Sequence, residues 1–223
     1  MMLKMQLQLF GGNGDSSSGK RSSGSVEKSL SRDDKDAIEY YVSGDGMYIN
    51  NFLRGRNGYT EADMYDNDKA LLKDLDSTTN RTLGAETTLY RSVDATAVFG
   101  NMSDSQYENL VANIVYGDNQ KYILNSIKGL TDNAIGKTIT DKGFMSTSKD
   151  YNVASEWGGF SGSDKPIVLE LKTKKSTKGV DVSYTDKNAS TPQKEVLLAR
   201  NQKYKILGIT AKDGNIYVKA ELQ

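Results

Sequence analysis

The 223 residues contain no Cys and no His, so any chemistry must rest on carboxylates, guanidinium groups, amines, phenols, hydroxyls and amides. That excludes a disulfide framework, a zinc or haem site, a Cys or Ser-His nucleophile and a His general base. Three stretches place the remaining groups in patterns that can do work. In "LYRSV", Arg91 sits within an alternating apolar run, on the face of Leu89 and Val93. A half-buried guanidinium there is costly unless an anion or carboxylate meets its fork. In "GFMSTS", an extended backbone puts Phe144, Ser146 and Ser148 on one face and Met145 and Thr147 on the other, so two hydroxyls look into the space that Phe144 lines. In "TPQKEVLLARNQKYKI", an unbroken strand carries Gln193, Glu195, Leu197 and Ala199 on one face, with an amide and a carboxylate about 7 Å apart at an apolar rim. Each has an ordinary structural reading on its own: a polar turn for Ser-Thr-Ser, a surface ion pair for Arg91, a solvated strand end for Gln193 and Glu195.

Elements that hold these residues can be read from periodicity. Residues 11 to 25, "GGNGDSSSGKRSSGS", hold five Gly and six Ser; such a composition buries little apolar surface and reads as a flexible leader over residues 1–26. One domain is expected over 27–223, helical over 27–80 and mostly β over 81–223. Ser31 followed by Asp34 suits a helix N-cap, and Ile38, Tyr41 and Val42 then repeat at helical spacing. "GDGMYINNFLRGRNG" reads as a short helix between Gly-rich stops with Ile49, Phe52 and Leu53 on one side, and "DNDKALLKDLD" as a further one with Leu71, Leu72 and Leu75 inward. "SDSQYENLVANIVYG" and "NQKYILNSIKGL" suggest two more, and another short helix is expected after the Ser-Thr-Ser. Strands then dominate: "KPIVLELKT", "KGVDVSY" and a terminal pair joined at Asp213-Gly214, a hairpin signal. The pattern is that of an α+β domain, with N-terminal helices on a mainly antiparallel β core.

Charge balances at 29 basic and 29 acidic residues, which points to neither a nucleic-acid nor a membrane partner. No apolar run approaches the roughly 20 residues of a membrane span, and "MQLQLF" is short for a signal-peptide core, so a soluble chain not exported by that route is expected.

Taken in order and at these separations, "LYRSV", "GFMSTS" and "QKEVLLARNQKYKI" resemble the Arg, Ser-Thr-Ser and Gln-x-Glu elements of mono-ADP-ribosyltransferases of the Arg-Ser-Glu class. Within that class the chain is most similar to Rho-modifying clostridial exoenzymes and to the catalytic lobes of binary actin-modifying toxins, over about residues 30 to 222. The helical "AIEYYVSGDGMYINNFLRG" adds Asn50 and Arg54 at the spacing with which the family's first helices overlie the dinucleotide. The leader "MMLKMQLQLFGGNG" resembles the openings of some phage head proteins. The resemblance implies the family's two-sheet fold and NAD as substrate, with no metal.

It also implies a role for each motif. Glu195 would hold the ribose 2′-hydroxyl and stabilise an oxocarbenium-like transition state. Nicotinamide, a cationic ring while bonded to the ribose, leaves as a neutral molecule, so one carboxylate suffices, in keeping with a chain without His. Arg91 and Arg54 would pair with the pyrophosphate. Ser146 would hold the nicotinamide ribose and Glu195, with Thr147 and Ser148 shaping the pocket floor. Trp157 or Phe160 would cover the nicotinamide; the ordinary alternative for Trp157, the only Trp, is a core position. Lys165 stands where some relatives carry a phosphate-binding Arg, and a point charge cannot make that bidentate contact. Gln193 implies a protein acceptor with an asparagine-type side chain. The loop before it carries Ala189, Ser190, Thr191 and Pro192 where Rho-modifying relatives carry an aromatic, so Rho is not singled out. An NAD glycohydrolase and a silent virion module with the same fold are the competing readings.

Overall fold

The computed structural model describes residues 29–100, 105–106, 128–156, 167–188, 192–212 and 215–223. In chain order the elements are α1 (Arg32–Tyr40), a π-helical turn (Tyr41–Asp45), α2 (Gly46–Leu53), short 3-10 turns at Arg56–Gly58 and Glu61–Asp63, and α3 (Asp66–Thr79). There follow β1 (Thr88–Val93), α4 (Thr96–Phe99), α5 (Lys128–Ala134), β2 (Thr138–Asp141), β3 (Met145–Ser148) and α6 (Tyr151–Glu156). The last are β4 (Ile167–Lys172), β5 (Gly179–Asp181), a 3-10 segment (Ser183–Asn188), β6 (Glu195–Leu198), β7 (Gln202–Lys212) and β8 (Asn215–Leu222). The expected leader and most of the two helices expected between residues 103 and 130 lie outside the described residues; Lys128–Ala134 is helical.

Helices first and strands after give the expected α+β class. The strands are hydrogen-bonded in the order β2-β7-β8-β4-β1-β3-β6-β5. That is one run of eight neighbours instead of the two sheets expected, because β3 is bonded on both sides, to β1 and to β6. β1 pairs antiparallel with β3 and β4, β5 with β6, and β7 with β8, whereas β4 and β8 run parallel. The pairing of Lys212 with Asn215 bears out the terminal hairpin; its turn residues lie outside the described ones.

By contacts the chain divides into two compact units. The first comprises the chain up to Gly84 with segments 141–146 and 175–202. Its core takes Ile38, Tyr41, Ile49, Leu53, Leu72 and Leu75 from the helices, with Phe144, Val180, Val182 and Leu197. These are the positions that helical spacing and strand alternation select. Truncating fully buried Leu75 to Ala would cost about 2–5 kcal/mol. Ser31 caps α1 reciprocally: its hydroxyl accepts from Asp34 N at 3.0 Å while its own N donates to Asp34 Oδ2 at 2.9 Å. Thr78 and Arg81 also donate to Asp34.

Where Gly44 and Gly46 suggest a stop, the helix instead runs on through the π turn. A Cβ at Gly46 would lie 2.5 Å from the Tyr41 ring. Glycine thus lets the wide turn seat that ring against the backbone, the sort of irregularity common at functional sites.

In the second unit (85–140, 147–174 and 203–223), β4 lies between β8 and β1. Ile167, Val168, Leu169 and Leu171 are all buried, as in a strand covered on both faces. Helix α6 is fastened to β1 by Ser92, whose hydroxyl donates to Ala154 O at 2.5 Å, and by the edge-on rings of Tyr90 and Tyr151.

Candidate active site

Five of the candidate residues fall in the first unit: Asn50, Arg54, Ser146, Gln193 and Glu195. Helix α2 carries Asn50, and Arg54 follows its last residue one turn on, its N donating to Asn50 O at 3.0 Å. Asn50 is buried, and both ends of its amide are used: Nδ2 donates to Tyr41 Oη at 2.8 Å and Oδ1 accepts from Phe144 N at 2.8 Å. Ser146 Oγ reaches the same Tyr41 hydroxyl at 3.4 Å. Tyr41 Oη therefore ties the first helices to the Ser-Thr-Ser strand, while its ring meets Phe144 edge-on at 5.9 Å. Tyr41 reads from the sequence as one more apolar position, and nothing in its spacing marks the hydroxyl as a junction.

Arg54 has an intramolecular partner that its sequence setting does not announce. Its Nε and Nη2 donate to Asp141 Oδ1 and Oδ2 at 2.8 and 3.0 Å, and Nη2 also donates to Phe144 O at 3.0 Å. Nη1 has no acceptor among the described residues. Asp141 Oδ1 accepts in addition from Gly143 N at 2.9 Å, closing a tight Asp-Lys-Gly turn. A Cβ on Gly143 would come within 2.5 Å of Asn50 Oδ1 and 2.9 Å of Arg54 Nη2, so only glycine admits both side chains here.

Glu195 opens β6 and is only 5% exposed. Its carbonyl accepts from Val182 N at 3.0 Å, which fixes the strand's head against the end of β5. β6 is the neighbour of β3, so Ser146 and Glu195 lie on adjacent strands. Gln193 is half-buried and precedes the strand. Between the two, Lys194 has φ 49°, a left-handed conformation that a non-glycine residue adopts at a cost of order 1–3 kcal/mol. The expected strand alternation between Gln193 and Glu195 therefore breaks at Lys194. The strand expected to continue to Ile206 also breaks, because the chain turns at Asn201, φ 63°.

Three described candidates belong to the second unit: Arg91, Thr147 and Ser148. Arg91 is half-buried on β1, opposite Leu169 of β4, in the otherwise apolar setting expected for it. Thr147 and Ser148 are fully buried. The Ser148 hydroxyl accepts from Asp150 N at 3.0 Å, and Asp150 Oδ1 accepts from Asn152 N at 3.0 Å, so this serine shapes the turn that starts α6. Trp157, Phe160 and Lys165 lie outside the described residues.

Among the described residues no group of three or more acidic side chains could hold a metal ion, and no helix is long and apolar enough to cross a membrane.

The family model for the ADP-ribosyltransferase exoenzymes matches residues 16–222. The chain belongs to that family. Family membership makes it an ADP-ribosyltransferase with NAD as the ADP-ribose donor. No curated protein matches the sequence. Among solved structures, the transferase is similar to C3stau2 of S. aureus, determined with NAD, at 23% identity and TM-score 0.70 over 90% of this chain and 92% of that one. It is also similar to the C3 exoenzyme of Clostridium limosum, at 22% identity and TM-score 0.65 over 90% and 92% of the two chains. BECa, an ADP-ribosylating toxin of C. perfringens determined with NADH, aligns at 19% identity and TM-score 0.65 over 90% of this transferase and 45% of that chain. At these identities the likeness is one of fold. The residues of the first unit suit such a donor: an arginine edge for a phosphate oxygen, a hydroxyl and a buried carboxylate.

Proposed function

We propose that this transferase moves ADP-ribose from NAD to a protein side chain of the asparagine type, with Glu195 as the catalytic carboxylate. Burial of Glu195 at the head of β6 carries the reading, since a carboxylate shielded from water stabilises developing positive charge far better than a solvated one. The bond from ribose C1′ to the nicotinamide nitrogen breaks, and nicotinamide leaves with the electron pair. Acceptor nitrogen then bonds to C1′ and gives up a proton to solvent. Glu195 takes the ribose 2′-hydroxyl and faces the cationic carbon; Ser146 steadies the ribose and the carboxylate. Arg54, through Nη1, and Arg91 take the pyrophosphate, where a guanidinium matches phosphate oxygens. Thr147 and Ser148 form the floor; Trp157 or Phe160 covers nicotinamide, and Lys165 adds charge for the phosphates. Action within a bacterial or other target cell, with carriage in a virion as the leader's likeness suggests, belongs to the same proposal.

Hydrolysis of NAD is the second reading, favoured by the turn at Lys194 that takes Gln193 off the strand face. Labelled NAD incubated with target-cell lysate distinguishes the two. The wild type should label a protein band and release nicotinamide, and Gln193→Ala should lose the band while keeping most nicotinamide release. Loss of both activities would place Gln193 in the chemistry or the fold, and nicotinamide release without any labelled band would favour the hydrolase.

A further inference from the structure

Asp141 has no part in the transfer as described, yet it is the residue most closely bound to Arg54. Its two oxygens engage Nε and Nη2 side by side at 2.8 and 3.0 Å, and both side chains are largely shielded, at 21% and 16% exposure. The carboxylate is fixed in turn by Gly143 N, and the guanidinium by Phe144 O. The absence of a Cβ at Gly143 lets the pair close on the backbone. A free arginine side chain samples many rotamers, and fixing one costs conformational entropy. Here that cost is met before any ligand arrives.

We propose that Asp141 is a positioning residue: it clamps one edge of the Arg54 guanidinium so that Nη1 alone is offered, in a fixed direction, to a phosphate oxygen of NAD. The inference rests on the reading of Arg54 as a phosphate contact. A second consequence follows from charge. The aspartate offsets the arginine, so the pair presents a directed hydrogen bond and little net charge, which favours a diphosphate ester seated in register over any polyanion that merely seeks positive charge.

A double-mutant cycle on NAD affinity, read by calorimetry and as KM against kcat for nicotinamide release, tests it. Asp141→Asn keeps the shape but replaces one acceptor oxygen by a donor, so NAD affinity should fall about tenfold with kcat within about twofold. In an Arg54→Ala background the same change should cost less than about twofold, because the clamp has nothing left to hold. Arg54→Lys keeps the charge but cannot bridge both oxygens, and should lose affinity as Asp141→Asn does. The proposal is overturned by wild-type affinity in Asp141→Asn, by wild-type affinity in Arg54→Lys, or by an equal further loss in the Arg54→Ala background, which would mean that Asp141 acts through the Asp141–Gly143 turn. Weakened binding in Arg54→Ala with none in Asp141→Asn sinks the clamp alone. Unchanged binding in Arg54→Ala removes Arg54 from the dinucleotide, and the clamp with it.

Discussion

Arg54 and Arg200 lie in the same unit and are each gripped by an aspartate through Nε and Nη2, yet they end differently. At Arg200, Asp76 accepts from Nε and Nη2 at 2.8 Å each, and Glu61 takes Nη1 at 2.9 Å. Burial disfavours the Arg200 charge, but the hydrogen bonds and charges of Asp76 and Glu61 outweigh it and hold the guanidinium above its ordinary pKa. At Arg54 the third position is open, and Phe144 O shares Nη2 with the aspartate. An arginine with every nitrogen taken braces α3 and the turn before it. One held along a single edge is stiff and still has a donor to give. The number of acidic partners is what separates Arg200 from Arg54 and, on the proposed reading, a structural arginine from a binding one, although both are half-buried and bidentate.

Arg54→Ala should show the largest effect. NAD affinity should fall by roughly 1.5–3 kcal/mol, the range for hydrogen bonds to charged groups, and the loss should shrink at high salt; calorimetry at two ionic strengths checks both. Arg200→Ala should instead lower unfolding stability by about 2 kcal/mol in a denaturant titration, with NAD affinity unchanged. Equal loss of affinity in the two variants would erase the distinction.

Asp34 supplies an acid-side test of the structural class. Burial would raise its pKa, but hydrogen bonds from Thr78 and Ser31 and the charge of Arg81 prevail and lower it below 3.8. A pKa depressed by folding contributes stability that is whole above the unfolded value and drains away as pH falls through the folded one. The wild type should therefore lose stability below about pH 4 more steeply than Asp34→Asn, while the variant is the less stable at neutral pH. Equal acid limbs in thermal melts would contradict this. The smallest effect belongs to Arg32, highly exposed and 3.8 Å from Asp36; its replacement by Ala should leave the melting temperature within experimental error.

How much of this was legible depends on the range of the interaction. The capping of α1, the inward Leu72 and Leu75, the paired β7 and β8 and the half-buried position of Arg91 all follow from local spacing. Gly44-Asp45-Gly46 misled, since a Gly-rich run reads as a stop and here permits a π turn that seats Tyr41. Lys194 was illegible for a different reason: left-handed backbone normally announces itself as Gly or Asn, and a lysine held there by its surroundings gives no sign. Asp141 meets Arg54 across 87 positions, and no periodicity reports a pairing at that separation. The Asp-x-Gly turn before "GFMSTS" was the one available hint. Arg54 could be named from the resemblance, but not the residue that aims it.

Turnover of NAD by Glu195→Gln is the most direct test of the account. Glutamine keeps the size and one hydrogen-bonding oxygen but removes the charge that opposes the developing cation, so the loss should fall on kcat and not on binding. With folding confirmed by an unchanged thermal melt, nicotinamide release should drop by at least about a hundredfold while calorimetric NAD affinity stays within about threefold of wild type. Wild-type turnover in Glu195→Gln would contradict the assignment of Glu195 as the catalytic carboxylate, and a loss confined to NAD affinity would reduce it to a binding residue.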